Sequence, residues 1–416
     1  MNLKPSPFAP SQFPDLPAVK GVQAATASRG FYAGRGLERD DVFLFAFPEG
    51  TSCAGVFTRS STASADVLWC REALEAGHGA ARGLVVNSGN SNAFTGPKGS
   101  EKNDHTLAAM VQALSSPKEQ CFLAATGVIG EPLPDPNYVG SIVPDMAARL
   151  AAPDWLACAK AFMTTDTYPK GGAESCEIDG MPVQLAGIAK GSGMIAPNMA
   201  TMLAYIFTDA AIASPVLDQV LREAVNNSFN AITVDSDTST SDTVMVFATG
   251  ASGAPMITDR TDERLIPFIA ALSDLCLNLA LQIVKDGEGA SKFVTIRVEG
   301  ASHRDVARQL ASDVANSPLV KTALAAGDAN WGRVIMALGK SGLPLDQTDL
   351  TVWFGDVLVA ERGGRAESYD EAAASAVCAQ PEIEIRIRVG VGAGYATIYT
   401  CDLTHAYVDI NGAYRT

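Results

Sequence analysis

An α/β protein of more than one layer is the fold class that this 416-residue sequence predicts, on three observations. Apolar runs of strand length, as at 42–47 and 54–58, recur between glycines and polar turns. Longer stretches, as at 101–117 and 263–285, carry apolar residues three and four apart, the period of a helix with one buried face. After residue 293 the two patterns alternate again through about 382, which reads as a smaller α/β subdomain.

The composition narrows the class. With 47% hydrophobic and 19% charged residues the chain is an ordinary soluble globular protein, long enough for two or three domains or one layered core with an insertion. A formal charge of −15 argues against a nucleic-acid partner, which requires clustered Lys and Arg. The best membrane candidate, 275–284, is interrupted by Asn278 and Gln282, so no membrane association is expected. The Pro-rich first 21 residues lack an apolar signal core, and a cytoplasmic location follows as the expectation. Eight scattered cysteines without a CxxC pair suit reduced thiols, and four dispersed histidines offer no HxxH spacing. Neither a metal nor a resident cofactor is expected.

Taken in order, residues 1–20 read as an extended surface arm, because five prolines oppose regular pairing. A short helix is expected at 67–76. The segment GLVVNSGNSNAFTG (83–96) reads as a strand end followed by a polar loop from Asn87 to Asn92. The strand FLAATGVIG (122–130) contains Thr126-Gly127, which can aim a hydroxyl and a backbone N–H at one point, as an oxyanion hole requires. Helices are expected over 139–161. Thr164, Thr165, Thr167 and Lys170 could line a small-molecule pocket; a solvated loop before a hairpin explains them equally well. The strand at 181–190 delivers Lys190, whose ammonium suits a carboxylate.

In KGSGMIAPNMATMLAYIFTDA (190–210) a glycine-rich turn feeds a core strand, with Thr201 at the junction. A helix follows, capped by Ser214 with Pro215 in its first turn and Leu217, Val220, Leu221, Ala224 and Val225 on one face. Residues 231–250 suggest two strands around a polar loop; its run Asp235 to Asp242 has a cation-site composition but is read as pocket wall or structure, not metal site. Glu288 stands between two glycines after the long helix. The subdomain reads as a strand at 292–298, a helix with a Ser302/Asp305 cap, a second helix after Ser317-Pro318, and a hairpin over 352–360. Gly390, Gly392 and Gly394 lead into a strand, not a helix, which defeats a dinucleotide-binding reading and leaves a hairpin of 383–389 with 396–400.

These strings carry a resemblance. KGSGMIAPNMATML resembles the self-cleavage segment of the ornithine acetyltransferase family, in which the chain is cut immediately before a Thr. NSGNSNAFTG resembles that family's NSGNANACTG, with Ser91 and Phe94 departing. TTDTYPK fits TTDTxPK in full, and DSDTSTSDT resembles DGDTSTNDT with Ser236 and Ser241 differing. DGEGASK departs from DGEGATK only at Ser291, GDANWGR is similar to GDPNWGR, read as support near the active site, and NGAYRT resembles the terminus N-x-x-Y-R-[ST]. The resemblance runs from about residue 21 to 416.

The resemblance implies an α/β/β/α sandwich of mixed sheets with the smaller subdomain beside it. It places a self-cleavage between Ala200 and Thr201, giving fragments 1–200 and 201–416 that stay paired as αβ units and assemble into an (αβ)₂ heterotetramer. Only a residue with its own nucleophile can make that cut: the hydroxyl attacks the preceding carbonyl, and water then frees an amine whose ordinary pKa is about 7.7–8.0, fit to act as base. The implied activity is acetyl transfer from N2-acetylornithine to glutamate in arginine biosynthesis, with acetyl-CoA left open as a second donor. Thr201 is the implied nucleophile, and Thr126 and Gly127 the implied oxyanion hole. Thr167, Lys190, Thr201, Glu288, Asn411 and Thr416 are the implied substrate contacts, with Thr164 and Thr165 as alternatives to Thr167. Two other classes compete: an amide hydrolase or aminopeptidase on a similar self-cleaving scaffold, and a binding protein with an inert turn at Ala200-Thr201.

Overall fold

A computed structural model describes residues 4–196 and 202–413. Ala200, Thr201 and Thr416 therefore lie outside the described residues. Within them the chain forms fifteen strands and eleven α-helices.

The first sheet holds β1 (Gln23–Ala27), β2 (Val42–Ala46), β4 (Gly83–Asn90) and β5 (Cys121–Val128), in that order. The second holds β3 (Ser52–Phe57), β9 (Thr243–Ala248), β8 (Leu203–Thr208), β7 (Met181–Lys190) and β6 (Lys170–Ile178). Both mix parallel and antiparallel pairs. Strand residues alternate faces, and here both faces are apolar. Phe43, Phe45 and Phe122 of the first sheet meet Tyr205, Phe207 and Phe247 of the second in one core. The Phe45–Phe207 and Phe47–Phe247 rings stand 4.3 and 4.5 Å apart, pairs worth about 0.5–1.5 kcal/mol each beyond their burial.

The outward faces are covered by helices. Val42, Leu44 and Val85 pack under Leu107 and Met110 of α2 (Pro97–Leu114) and Val143 of α3 (Val143–Ala147). On the other side Leu185, Ile206 and Val246 pack under α5 (Ser214–Asn227) and α6 (Ile266–Lys285). Helix, sheet, sheet, helix is the expected four-layer order. The helical segment 263–285 is the one stretch among the described residues long and apolar enough to cross a membrane, yet nine α6 residues are buried in this core. Two further helices, α1 (Ala65–Ala76) and α4 (Trp155–Ala161), close the sandwich edges. All eight cysteines are free; burial pushes the Cys70 thiol up to about 12.

The third sheet takes in β10 (Phe293–Ala301), β11 (Thr351–Phe354), β12 (Val357–Glu361), β13 (Gly364–Arg365), β14 (Glu382–Arg388) and β15 (Gly394–Cys401). It packs against α7 (Arg304–Ala315), α8 (Pro318–Ala325), α9 (Trp331–Gly339) and α10 (Glu371–Cys378) as a separate core, and α11 (His405–Ala413) ends the described chain.

Several expectations are corrected. The smaller α/β unit extends past 382 to Cys401, because β14 and β15 flank β10. They form no hairpin: β14 runs parallel to β10 and β15 antiparallel. Asn87 to Asn90 are strand, not loop, since β5 pairs with them in parallel through Asn90↔Val128. Residues 231–250 give one strand, β9, and Ile232 makes only an isolated bridge to Tyr399. Ser214 opens α5 rather than capping it; its hydroxyl donates to the Cys53 carbonyl at 2.8 Å. The cap expected of Ser302/Asp305 is absent, His303 taking that place without a side-chain bond. The arm is also better anchored than expected: the Trp155 indole donates to the Pro17 carbonyl at 3.1 Å.

Candidate active site

Two parallel strands place the first group. β4 and β5 run in register through Ser88↔Thr126 and Gly89↔Gly127. They approach so closely that a Cβ at Gly127 would lie 2.4 Å from the Gly89 carbonyl carbon, and its φ of +133° also favours glycine. The polar strand end is satisfied in part: Asn87 Nδ2 donates to the Asn90 carbonyl at 3.0 Å and Ser88 Oγ to that of Ala161 at 2.7 Å, while Asn87 Oδ1 is buried without a partner among the described residues. Thr126 and Gly127 thereby face a cavity of about 220 Å³.

β7 supplies Lys190 to the same cavity; it is 3% exposed and donates to Thr126 Oγ1 at 3.4 Å. Burial, then Lys170 beside it, depress the Lys190 ammonium below the ordinary lysine range, against the pull of Asp166. β8 pairs with β7 through Lys190↔Leu203, so the chain after Thr201 enters the core beside Lys190. The Met202 N–H donates to Asp242 Oδ1 at 2.9 Å, and its carbonyl accepts from the Thr243 N–H at 3.1 Å. Burial holds the Asp242 carboxyl far above the usual carboxylate range. Nothing in the sequence marked Asp242 beyond its place in the polar run.

Beneath this wall lies a buried ion triad. The Lys170 ammonium donates to Asp166 Oδ1 at 2.7 Å and to Asp286 Oδ2 at 2.6 Å. Although burial opposes its charge, Lys170 and then Lys190 hold the Asp166 carboxyl well below the usual range. Asp166 also accepts from the Gly191 N–H at 2.7 Å and the Thr164 N–H at 3.0 Å, fixing the turn after Lys190. Of the three candidate threonines, Thr164 lines the cavity. Thr167 stands apart: its hydroxyl donates to Asp286 and accepts from the Ser6 N–H at 2.9 Å. The expected substrate contact of Thr167 is thus not among the described lining, because the triad engages that hydroxyl.

Glu288 follows α6 on a turn whose N–H donates to the Ser192 carbonyl at 2.9 Å. Its carboxyl lies against Gly193, where an added Cβ would sit 2.4 Å away, and accepts from Asn411 Nδ2 at 2.6 Å. Burial pushes this carboxyl up. Asn411 and Tyr407 lie one helical turn apart on α11, and both line the cavity. The Tyr407 hydroxyl donates to Asp235 Oδ2 at 3.3 Å. Tyr407 escaped the sequence reading, although its i, i+4 spacing to Asn411 marks the shared face.

The polar run after residue 234 forms the remaining wall, with Asp235, Asp237 and Ser239 to Ser241 lining it. Asp235 accepts from the Met194 and Ile195 N–H groups at 2.6 and 2.8 Å, so its oxygens serve the backbone. GDANWGR stands elsewhere, in the smaller unit: Arg333 donates to the Leu319 carbonyl at 2.7 Å, and no residue of that string lines the cavity. A larger cleft of about 970 Å³, between α1, β3 and α5, shares none of the lining residues. The polar groups therefore gather in the smaller cavity: the Thr126 hydroxyl beside Gly127, one buried ammonium, and the carboxylates of Asp235 and Asp237.

Comparison with known proteins gives the family of the chain. Residues 24–416 match the ArgJ family. The chain is similar to the arginine biosynthesis bifunctional protein ArgJ of Rhizobium meliloti (strain 1021), 51% identical over 99% of each chain. Its similarity to the protein of the same name from Agrobacterium fabrum (strain C58 / ATCC 33970) is 50% over the whole of both. Among solved structures, that of the bifunctional protein ArgJ of Bacillus halodurans covers 50% of this chain and 96% of its own, at 36% identity and a TM-score of 0.47.

Proposed function

The chain belongs to the ArgJ family of arginine-biosynthesis acyltransferases, and we propose that it carries an acetyl group from N2-acetylornithine to glutamate through an ester on Thr201. The observation that supports this most is the convergence of Thr126, Gly127, Lys190 and Asn411 on one small cavity where β8 begins.

The precursor first cuts itself between Ala200 and Thr201. The freed Thr201 amine then accepts the proton of its own hydroxyl while Oγ attacks the acetyl carbonyl carbon. The Gly127 N–H and the Thr126 hydroxyl stabilise the oxyanion; one such donor is worth about 3–4 kcal/mol. Because Lys190 donates to Thr126 Oγ1, the Thr126 hydroxyl proton is left to point at another acceptor. Lys190 pairs with the α-carboxylate that donor and acceptor share. Glu288, held by Asn411, serves the α-nitrogen, which loses the acetyl group in the donor and gains it in the acceptor. The amine returns its proton to the departing ornithine nitrogen; the neutral glutamate α-nitrogen then attacks the Thr201 ester, the C–Oγ bond breaks, and the amine relays the proton from that nitrogen to Oγ. Thr167 contributes through Asp286 and Lys170, and Thr416, outside the described residues, is assigned as a substrate contact by the family resemblance.

Intact mass under denaturing conditions tests the first step. Two fragments meeting at Ala200/Thr201, absent in Thr201→Ala, are expected; an uncut wild-type chain would remove the base and sink the mechanism. Transfer of labelled acetyl to glutamate with ping-pong kinetics tests the second. Equal acetate release with and without glutamate would instead make the protein a hydrolase, and labelled acetyl-CoA in place of N2-acetylornithine tests the second donor.

A further inference from the structure

Acetyl transfer through Thr201 confronts one cavity with two substrates of opposite character. They share an α-carboxylate and an α-nitrogen. Ornithine ends in an ammonium, glutamate in a second carboxylate, and a cavity of about 220 Å³ receives each in turn. Lys190 is the only cationic side chain among its described lining residues.

Two carboxylates line this cavity and a third, Glu288, stands behind its wall at Gly193; two of the three are already committed. Glu288 is buried against Gly193 and accepts from Asn411 at 2.6 Å. Asp235 accepts from three backbone N–H groups, those of Met194, Ile195 and Asp237 at 2.6, 2.8 and 3.3 Å, and from Tyr407 at 3.3 Å. Asp237 differs. It lines the same cavity, it is exposed, and its carboxylate has no hydrogen bond or ion pair among the described residues. Its backbone is nonetheless fixed: the Asp237 N–H donates to Asp235 Oδ1 at 3.3 Å, and Ser236 before it turns at φ +68°.

Granting the acetyl transfer, on which the assignment rests, we propose that Asp237 is the specificity-determining residue that reads the far end of the substrate. It pairs with the distal ammonium of the basic donor and repels the distal carboxylate of the acidic acceptor. A rim charge of this kind discriminates by attraction and repulsion together. Position favours the assignment: Glu288 and Lys190 are buried and suit the groups that both substrates carry, whereas Asp237 stands on the open side, where they differ.

The test compares wild type, Asp237→Asn and Asp237→Lys, each first checked for cleavage by intact mass. Donors are N2-acetylornithine and N2-acetylnorvaline, which is the same molecule without its distal ammonium; glutamate is the acceptor. In Asp237→Asn the ratio of kcat/KM for the two donors should fall about fivefold, the upper range of a partly exposed ion pair, while kcat/KM for glutamate rises about twofold. Asp237→Lys should enlarge both changes. A structural lesion would instead move both donors equally, or donor and acceptor in the same direction, and either result overturns the proposal. Wild-type protein that transfers acetyl from neither donor would overturn the acetyltransferase reading itself, before any variant is compared.

Discussion

Lys190 and Gly193 show how single residues set the site. The Lys190 ammonium is depressed by burial and by Lys170, and Asp166, Glu288 and Asp242 pull it the other way. Only the protonated form pairs with a carboxylate. Binding should therefore be fully present below the lowered value and lost as pH rises through it, at a lower pH than an ordinary lysine would allow. KM for N2-acetylornithine, measured against pH, should rise on the alkaline side. Lys190→Arg should abolish that rise, and a profile unchanged by it would remove Lys190 from carboxylate binding. Gly193 acts by being absent: a side chain there would meet the Glu288 carboxyl at 2.4 Å. Gly193→Ala is expected to lower kcat/KM about 10- to 100-fold by shifting Glu288, with the far-ultraviolet dichroism unchanged. The sequence offered the identity of both residues, but not that one exists to make room for Glu288, ninety-five positions later.

At the scale of elements, the buried triad joins the start of β6, the end of α6 and the turn at 164–166. Removing the cation strands two buried carboxylates, so Lys170→Ala should destabilise the protein by about 3–5 kcal/mol in denaturant titration, whereas an exposed pair such as Arg222–Asp218 should cost under about 1 kcal/mol. Helix α11 is tied differently. It holds the cavity through Asn411–Glu288 and Tyr407–Asp235 while most of its residues are exposed. Deleting residues 405–416 should therefore raise KM at least about tenfold and leave the thermal midpoint nearly unmoved; a collapse of the midpoint would make α11 a structural element. Periodicity located α6 well, since the 3.6-residue repeat is local, but it gave no sign of α11. Pairing is not local. The alternation of 383–389 marked β14 as a strand yet gave no sign that β10 would come between it and β15. The polar run Asn87 to Asn90 looked like a loop, because neither the β5 partner nor the acceptor at Ala161 is nearby in sequence.

For the whole molecule, the second sheet decides what the proposed cut before Thr201 would leave behind. β3, β6 and β7 precede residue 200, and β8 and β9 follow it. β7 pairs with β8 from Leu185↔Thr208 to Lys190↔Leu203, and β3 with β9 from Ser52↔Ala248 to Phe57↔Thr243. Two of the three cores of the sandwich also mix residues from the two sides. Fragments 1–200 and 201–416 should then co-elute from a sizing column in native buffer, in the expected (αβ)₂ form at twice the mass of one pair, and separate only in denaturant. Dissociation in native buffer would show that the ladders and cores do not hold without the peptide bond.

Most element types and the α/β class were legible along the chain, because they depend on composition and short-range period, which are written residue by residue; the residues proposed for catalysis were named by the resemblance of their strings to the family. Which strings meet was settled by the folded arrangement alone. It brought Thr126, Lys190, Glu288 and Asn411 together, turned Thr167 toward Asp286, and left Asp237 as the unengaged carboxylate of the wall. The reason is physical: a buried polar group must find a partner, and that partner is chosen by packing across the fold.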